Sequence, residues 1–426
     1  MLKFTPIVSN GVGEIDPLKV ADYSRIGGFA ALKKAMRLSP LEIISEVKTA
    51  KLLGRGGAAY PAGSKWEQLF RIKERPKFIV CNADEGEPGT FKDRLILEKV
   101  PLRLIEGMTI AAYVFKSFAG YIYVRGEYRG IQKGLKEAIQ NAKREGLLGQ
   151  KILGTSFSFE IEVISGAGAY VCGENSALLN STEGKVGRPR VKPPHLAEVG
   201  LFLRPTLVNN VESFTCIPSI VLDGGENFLR MGHPEGGGSK LICLSGHINQ
   251  PGVYEIPLGK LTLKEIISSL GGGIKNGQDL NFIHLGGQSG PIASKESLNL
   301  LYSYHDLRKN GLSVGSGAVV VMDQSVSLTD YLYKVTEFFL HESCGKCVPC
   351  REGNRLLLKY LARLKGPEPL SSQDFKVLSQ LITTMSRASF CGLGQSAATA
   401  LKTAWQAFPQ YFVPSGLDLP KPQIAS

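Results

Sequence analysis

The chain has 426 residues, of which 43% are apolar and 21% charged, ordinary globular usage that excludes wholesale disorder and leaves room for several packed units. No apolar run reaches the roughly 18 residues of a membrane span, and the stretch from Met1 to Val8 carries no signal-peptide apolar core. A net charge of +12 suits either a nucleic-acid surface or sites for anionic cofactors and an acidic partner, but the basic residues are spread along the chain with no block of five or six and no helix-turn-helix or zinc-finger spacing. The expectation is therefore a cytosolic protein, or one resting on the inner face of a membrane, without nucleic acid. In that compartment its eight cysteines are reduced thiols or metal ligands, not disulfides.

Residues 1–62 hold short helical stretches, such as Leu41 to Val47, and lead into a glycine loop. From 63 to 230 short apolar runs alternate with helical periods. Lys77 to Cys81 and Gly120 to Val124 read as buried strands, Leu102 to Phe118 and Ile131 to Lys143 as helices, and the alternation predicts an α/β layer with a largely parallel sheet. The run Met231 to Ser239 is linker-like. Beyond it, strands at Leu241–Ser245, Gly252–Ile256, Asn281–Leu285 and Ala318–Met322, with a helix at Leu263–Leu270, predict a small β-grasp unit over 231–325. The rest, 326–426, is helical: Asp330 to His341 and Arg355 to Leu364 repeat an apolar face, and Ser371 opens a capping box with Asp374.

Four stretches carry chemistry. The first, Gly54 to Trp66, places Gly54, Gly56, Gly57 and Gly63 where a backbone can approach a ligand, with Arg55 and Lys65 as phosphate charges; standing alone, such a turn is more often structural than a nucleotide site. The second, Cys81 to Arg94, leaves a strand end with Asn82, Asp84, Glu85 and Glu87 crowded at the mouth where α/β sheets bind ligands; its bland alternative is a solvated acidic turn. In the third, Gly166 to Ser181, small residues up to Gly173 precede a helical pattern, predicting a helix N-terminus with free N–H groups for an anion or a flavin's polar rim. Asn209 and Asn210 then offer two adjacent amides. The fourth is Glu342 to Gly353, where Cys344, Cys347 and Cys350 sit three apart, with Cys391 as the one downstream cysteine. The set fits Cys₄ ligation of an iron–sulfur cluster; a Cys₄ zinc knot is the alternative.

In this order, from about residue 40 to 400, the three loops and the cysteine set resemble the family of NADH-oxidising flavoproteins of respiratory complex I, its 51 kDa or F subunits. The resemblance implies a Rossmann-like FMN- and NADH-binding domain, then a β-grasp (ubiquitin-like) domain and a helical bundle with one 4Fe–4S cluster. Carried over by residue, Gly54, Arg55, Gly56, Gly57, Ala58, Lys65, Asn82, Asp84, Glu85, Tyr170, Gly173, Glu174, Asn209 and Asn210 match positions around FMN. Tyr60, Lys65, Glu87, Asn175 and His195 match positions around NADH, and Cys344, Cys347, Cys350 and Cys391 match the cluster ligands. Hydride transfer to FMN requires no catalytic acid or base, and none is assigned.

The resemblance further implies an NADH:quinone oxidoreductase of the translocase type, peripheral on the cytoplasmic side of the inner membrane without direct insertion. Its implied partners are a small 2Fe–2S subunit (24 kDa, E-type), forming a heterodimer, and a larger multi-cluster subunit. Two departures stand out. Where the family has paired glutamates this chain reads Glu174-Asn175, which removes a carboxylate that would repel the extra phosphate of NADPH. Where the family clamps adenine with phenylalanines, this chain has Tyr60, Gln68 and His195. The competing readings are a diaphorase subunit of a soluble NAD-linked hydrogenase or formate dehydrogenase, built on the same core, and a non-enzymatic iron–sulfur scaffold.

Overall fold

The computed structural model describes residues 4–366 and 370–412. The first three residues of the Met1 to Val8 stretch, and parts of the 326–426 segment, lie outside them. Along the chain two compact units are separable. One takes in the chain up to Gly86, then Phe91–Ile242 and Val253–Lys260; the other takes Glu87–Thr90, Cys243–Gly252 and the chain from Leu261 onward.

The first unit is built on four strands, β1 (Phe78–Ala83), β2 (Ala119–Val124), β3 (Glu160–Ser165) and β4 (Thr206–Asn210), in the order β3-β2-β1-β4 with every pairing parallel. The expected runs at 77–81 and 120–124 are β1 and β2. Parallel neighbours need long crossovers, and helices Pro101–Phe115, Arg129–Arg144 and Asn175–Thr182 supply them. Pro101–Phe115 is buried at every position except Tyr113, which is why its sequence reads as an apolar run. It stops three residues short of the expected 118, because Lys116 turns left-handed (φ 51°) and the Ser117 hydroxyl donates to Lys77 O at 2.7 Å. The core gathers Trp66, Phe115, Phe159 and Phe214, all fully buried, with the Trp66 and Phe115 rings edge-to-face at 5.4 Å.

Further along lies a sheet of β5 (Ser239–Gly246), β6 (Gly252–Pro257), β7 (Leu280–Leu285), β8 (Ile292–Ala293) and β9 (Ala318–Asp323), in the order β6-β5-β9-β7-β8. β9, the last strand, pairs parallel with β5, the first, and antiparallel with β7; this arrangement, with the expected helical segment at 263–270, is the expected β-grasp, and it carries in addition a short helix, Tyr304–Lys309, that the sequence reading did not give. In the second unit the helices Leu328–Glu342, Val348–Lys365 and Ser372–Ala388 follow, then the short Gly392–Ser396 and Thr399–Ala407. The helix expected from Arg355 begins seven residues earlier, with Pro349 in its first turn. Ser371 forms the expected capping box with Asp374. His284 is fully buried: Tyr331 Oη lies 2.9 Å from Nδ1 and Gly290 O lies 3.1 Å from Nε2, and burial lowers its pKa to about 4, so it is neutral. Among the described residues no helix is long and apolar enough to cross a membrane.

Candidate functional site

In the first unit, the C-terminal edge of the parallel sheet sets the geometry. Cys81 is in register with Asn209, and Asn82 with both Asn210 and Tyr123, so the amides of two neighbouring strands end at one mouth. From there Asn82 Nδ2 reaches Gly173 O at 2.9 Å and Asn175 Oδ1 at 3.1 Å, while its own Oδ1 accepts from Asp84 N. One side chain thereby fastens the 82–86 loop to the 173–175 loop.

Three helices begin at this mouth, and each N-terminus is closed by a side chain of the chain itself. Glu174 Oε2 accepts from Ser176 N and Ala177 N, both at 2.9 Å, so the N–H groups expected to be free are taken. Its other oxygen pairs with Lys192 at 2.7 Å. Burial alone would raise the Glu174 carboxyl, but Lys192 and the Ser176 hydroxyl hold it low. Glu85 accepts from Asp93 N (2.8 Å) and Arg94 N (2.9 Å) at the start of Lys92–Lys99. Burial first, and then the charge of Asp93, push Glu85 up to about 7 against the pull of Lys92. Asn210 Oδ1 accepts from Glu212 N at 3.0 Å at the start of Val211–Asp223.

The first glycine loop closes on this mouth. A Cβ at Gly56 would come within 3.0 Å of Asn210 Cβ, so the loop lies against that amide only because the residue has none. Arg55 does not offer its charge there: its guanidinium is fully buried and donates to Gly237 O (2.7 Å) and Leu53 O (3.2 Å), while its backbone N–H donates to Ser213 Oγ. Lys65 is the available cation. Its Nζ donates to Val208 O at 2.9 Å and stands 5.9 Å from the Tyr60 ring centroid; burial, then the charge of Lys192, lower it to about 8. Asn209, with its amide oriented to accept from Trp66 Nε1 at 3.2 Å, donates to the same Val208 carbonyl.

Beneath these residues runs an ion network that the sequence reading did not single out. Lys92 Nζ is 2.6 Å from Asp93 Oδ1, 2.9 Å from Glu212 Oε2 and 3.3 Å from Asn210 Oδ1, and Lys240 Nζ is 2.6 Å from Glu212 Oε2. Burial would raise Glu212, yet Lys240, Lys92 and Arg55 hold it below the usual carboxylate range. The available signal was Lys240 itself, a lysine heading the apolar run Leu241 to Leu244.

Among the expected nucleotide residues, Tyr60 is 45% exposed with its hydroxyl accepting from Gln68 Nε2 at 2.8 Å, and Ala58 and His195 are exposed. Tyr170 lies in the turn Tyr170–Gly173, against Gly86. Glu87 belongs to the second unit, where Ser289 N and Oγ donate to its Oε1 at 3.0 and 2.7 Å.

In the second unit the four cysteines stand at helix ends, as expected. Cys344 follows Leu328–Glu342, Cys347 caps Val348–Lys365, Cys350 lies in that helix's first turn, and Cys391 caps Gly392–Ser396. Phe390 N donates to Cys347 Sγ at 3.4 Å across 43 residues. Burial, and then the neighbouring Cys347, Cys391 and Cys344 thiols, raise the pKa of Cys350, which places all four in one electrostatic neighbourhood. Among the described residues, however, no three His, Cys, Asp or Glu side chains close on a point that would hold a single metal ion.

Residues 47–219 match the Nuo51 FMN-binding domain, 240–322 the SLBB domain, and 330–414 the NADH-ubiquinone oxidoreductase-F iron-sulfur binding region. The second NADH-quinone oxidoreductase F subunit of Rhizobium meliloti is 41% identical over 96% of this chain and 97% of its own length. The chain belongs to the family of NADH-quinone oxidoreductase F subunits. Within that family, the F subunit of Aquifex aeolicus is 39% identical over 92% of this chain and 90% of its own length. The HndC subunit of the NADP-reducing hydrogenase of Solidesulfovibrio fructosivorans is 39% identical over 94% of this chain and 81% of its own length. The crystal structure of an NAD+-reducing [NiFe]-hydrogenase in the H2-reduced state superposes with a TM-score of 0.83 at 32% identity, covering 96% of this chain and 66% of that one. The chain thus spans about two thirds of that hydrogenase chain. As an F subunit it carries an FMN-binding domain and a 4Fe–4S region, the pair of centres implied by the loops and the cysteines.

Proposed function

We propose that this chain is the electron-input subunit of an NADH:quinone oxidoreductase, with the segments 1–62, 63–230, 231–325 and 326–426 as its working divisions. The observation that carries the reading is the convergence of Asn82, Asn209 and Asn210 on one strand-end mouth, together with a separate four-cysteine centre. Bound FMN supplies the exchange between a two-electron hydride donor and the one-electron steps that a 4Fe–4S cluster accepts. The chain's own groups provide position and charge. Asn82 fixes the loops that flank the mouth, the Gly54–Gly57 turn gives close backbone approach, and Lys65 supplies a cation for a nucleotide phosphate. Asp84, Glu85, Tyr170, Gly173 and Glu174 line the flavin side, with Arg55 and Ala58 contributing through the loop backbone. Tyr60, Asn175 and His195 belong to the NADH side, and Cys344, Cys347, Cys350 and Cys391 hold the cluster.

In this reading electrons leave through iron–sulfur partner subunits, a small 2Fe–2S chain and a larger multi-cluster one, on the cytoplasmic face of a quinone-reducing, translocase-type assembly. The hydrogenase likenesses support a second reading on the same chemistry, in which the partners deliver to or from hydrogen instead. Asn175, a neutral amide bonded to Asn82, leaves NADPH less excluded than a carboxylate would.

The test is the absorption spectrum of the anaerobically purified protein, before and after NADH and then NADPH. The expected result is a flavin band near 450 nm bleached by NADH. Slower bleaching by NADPH, abolished in Asn175→Glu, fits the neutral-amide reading. Protein that holds its cluster but shows no flavin band would overturn the proposal.

A further inference from the structure

The Cys350 sulfur is set apart from the other three. Cys350 is 6% exposed, and two side-chain donors address its sulfur: Ser343 Oγ at 3.3 Å and Asn354 Nδ2 at 3.5 Å. Ser343 Oγ also accepts from Gly345 N at 3.4 Å; as a deprotonated cluster ligand the Cys350 sulfur has no proton to give, so in that state the hydroxyl is the donor of the pair. Asn354 lies four residues after Cys350 on the same helix face. Its Nδ2 also donates to Cys350 O at 2.9 Å, and its Oδ1 is buried without a partner in a residue that is fully buried.

A buried, half-satisfied amide costs stability through its unpaired oxygen. Fold stability alone would favour a leucine at 354. What the amide does provide is an N–H aimed at a sulfur ligand. Packing around that ligand is tight: a Cβ at Gly394 would come within 2.8 Å of Cys350 Cβ and 2.7 Å of Ser389 Oγ. Donors to a thiolate in such a place stabilise the state with more negative charge, which for a cluster is the reduced one.

We infer that Ser343 and Asn354 act as potential-setting residues, holding the midpoint potential of the 4Fe–4S cluster above the value that the four thiolates alone would give. They act through the Cys350 sulfur and are not catalytic. The inference rests on the cluster reading of the four cysteines.

The experiment is a reductive titration of the purified protein followed by the cluster's electron paramagnetic resonance signal, for wild type, Ser343→Ala, Ser343→Thr, Asn354→Leu and the Ser343→Ala/Asn354→Leu pair. Iron content and the flavin midpoint are measured in parallel. Each single loss lowers the midpoint, and Ser343→Thr, which keeps the hydroxyl, restores it. In the pair the reduced-to-oxidised ratio at fixed potential falls about tenfold, a shift of about 59 mV for one electron, while the flavin midpoint stays in place. Equal midpoints in Ser343→Ala and wild type, at full iron content, overturn the inference even if Asn354→Leu fails to assemble. Wild-type protein without four iron atoms per chain would instead overturn the cluster reading beneath it.

Discussion

Lys92→Met keeps the buried stem of the lysine and removes only its ammonium group. That group sits 2.6 Å from Asp93, 2.9 Å from Glu212 and 3.3 Å from the Asn210 amide oxygen, with 1% of the side chain exposed. Breaking a buried ion pair from one side costs about 3–5 kcal/mol, because the remaining charge is left without compensation. Here the burden is uneven. Glu212 keeps Lys240 at 2.6 Å, whereas Asp93 keeps the Asn210 Nδ2 group, also at 2.6 Å. The loss therefore falls at the low end, about 3 kcal/mol, and falls on Asp93. At about 2–4 °C per kcal/mol for a domain of this size, the melting temperature drops by about 6–12 °C. Adding Asp93→Asn removes the stranded charge, so the double variant melts above the single one, a coupling that a thermodynamic cycle isolates. Scanning calorimetry on the flavin-free protein measures all three. A Lys92→Met protein that melts within 2 °C of wild type (about 1 kcal/mol or less), or a double variant that melts lower still, would refute the reasoning.

Lys65 should make nucleotide binding fade with alkali. Its ammonium pKa is lowered to about 8 by burial and by Lys192, so it is charged below that pH and neutral above it. Apparent NADH affinity, followed by flavin bleaching, should weaken between pH 7 and 9; Lys65→Arg should flatten the profile, and an unchanged slope in that variant would reject it. Ser371→Ala removes the Oγ that accepts from Asp374 N at 3.2 Å and should cost about 1 kcal/mol. Hydrogen exchange should rise in the first turn of Ser372–Ala388 and leave β1 and β2 untouched.

The fold was readable in the sequence wherever burial was two-sided. β1 and β2 are enclosed by helices and show as unbroken apolar runs. β3, at the sheet edge, reads Glu-Ile-Glu-Val-Ile-Ser, and its half-exposed alternation hid it among loop residues. β4 was noticed for its amides, which are the end of a strand and the cap of a helix at once. Cys344, Cys347 and Cys350 were legible because their spacing is local, whereas distant Cys391 was legible only as the one cysteine downstream. The burial of Arg55 was not, since its partner Gly237 lies 182 residues away. Nor were the roles of Glu85 and Glu174 as helix caps, because glutamate is not among the preferred capping residues.

Those caps have a thermodynamic consequence. With Glu85, Glu174 and Asn210 already closing the three helix ends, and Asn82 already joining two loops, the mouth is a finished template before any ligand arrives. For a flavin docking here as proposed, little ordering entropy would be spent on these loops at capture.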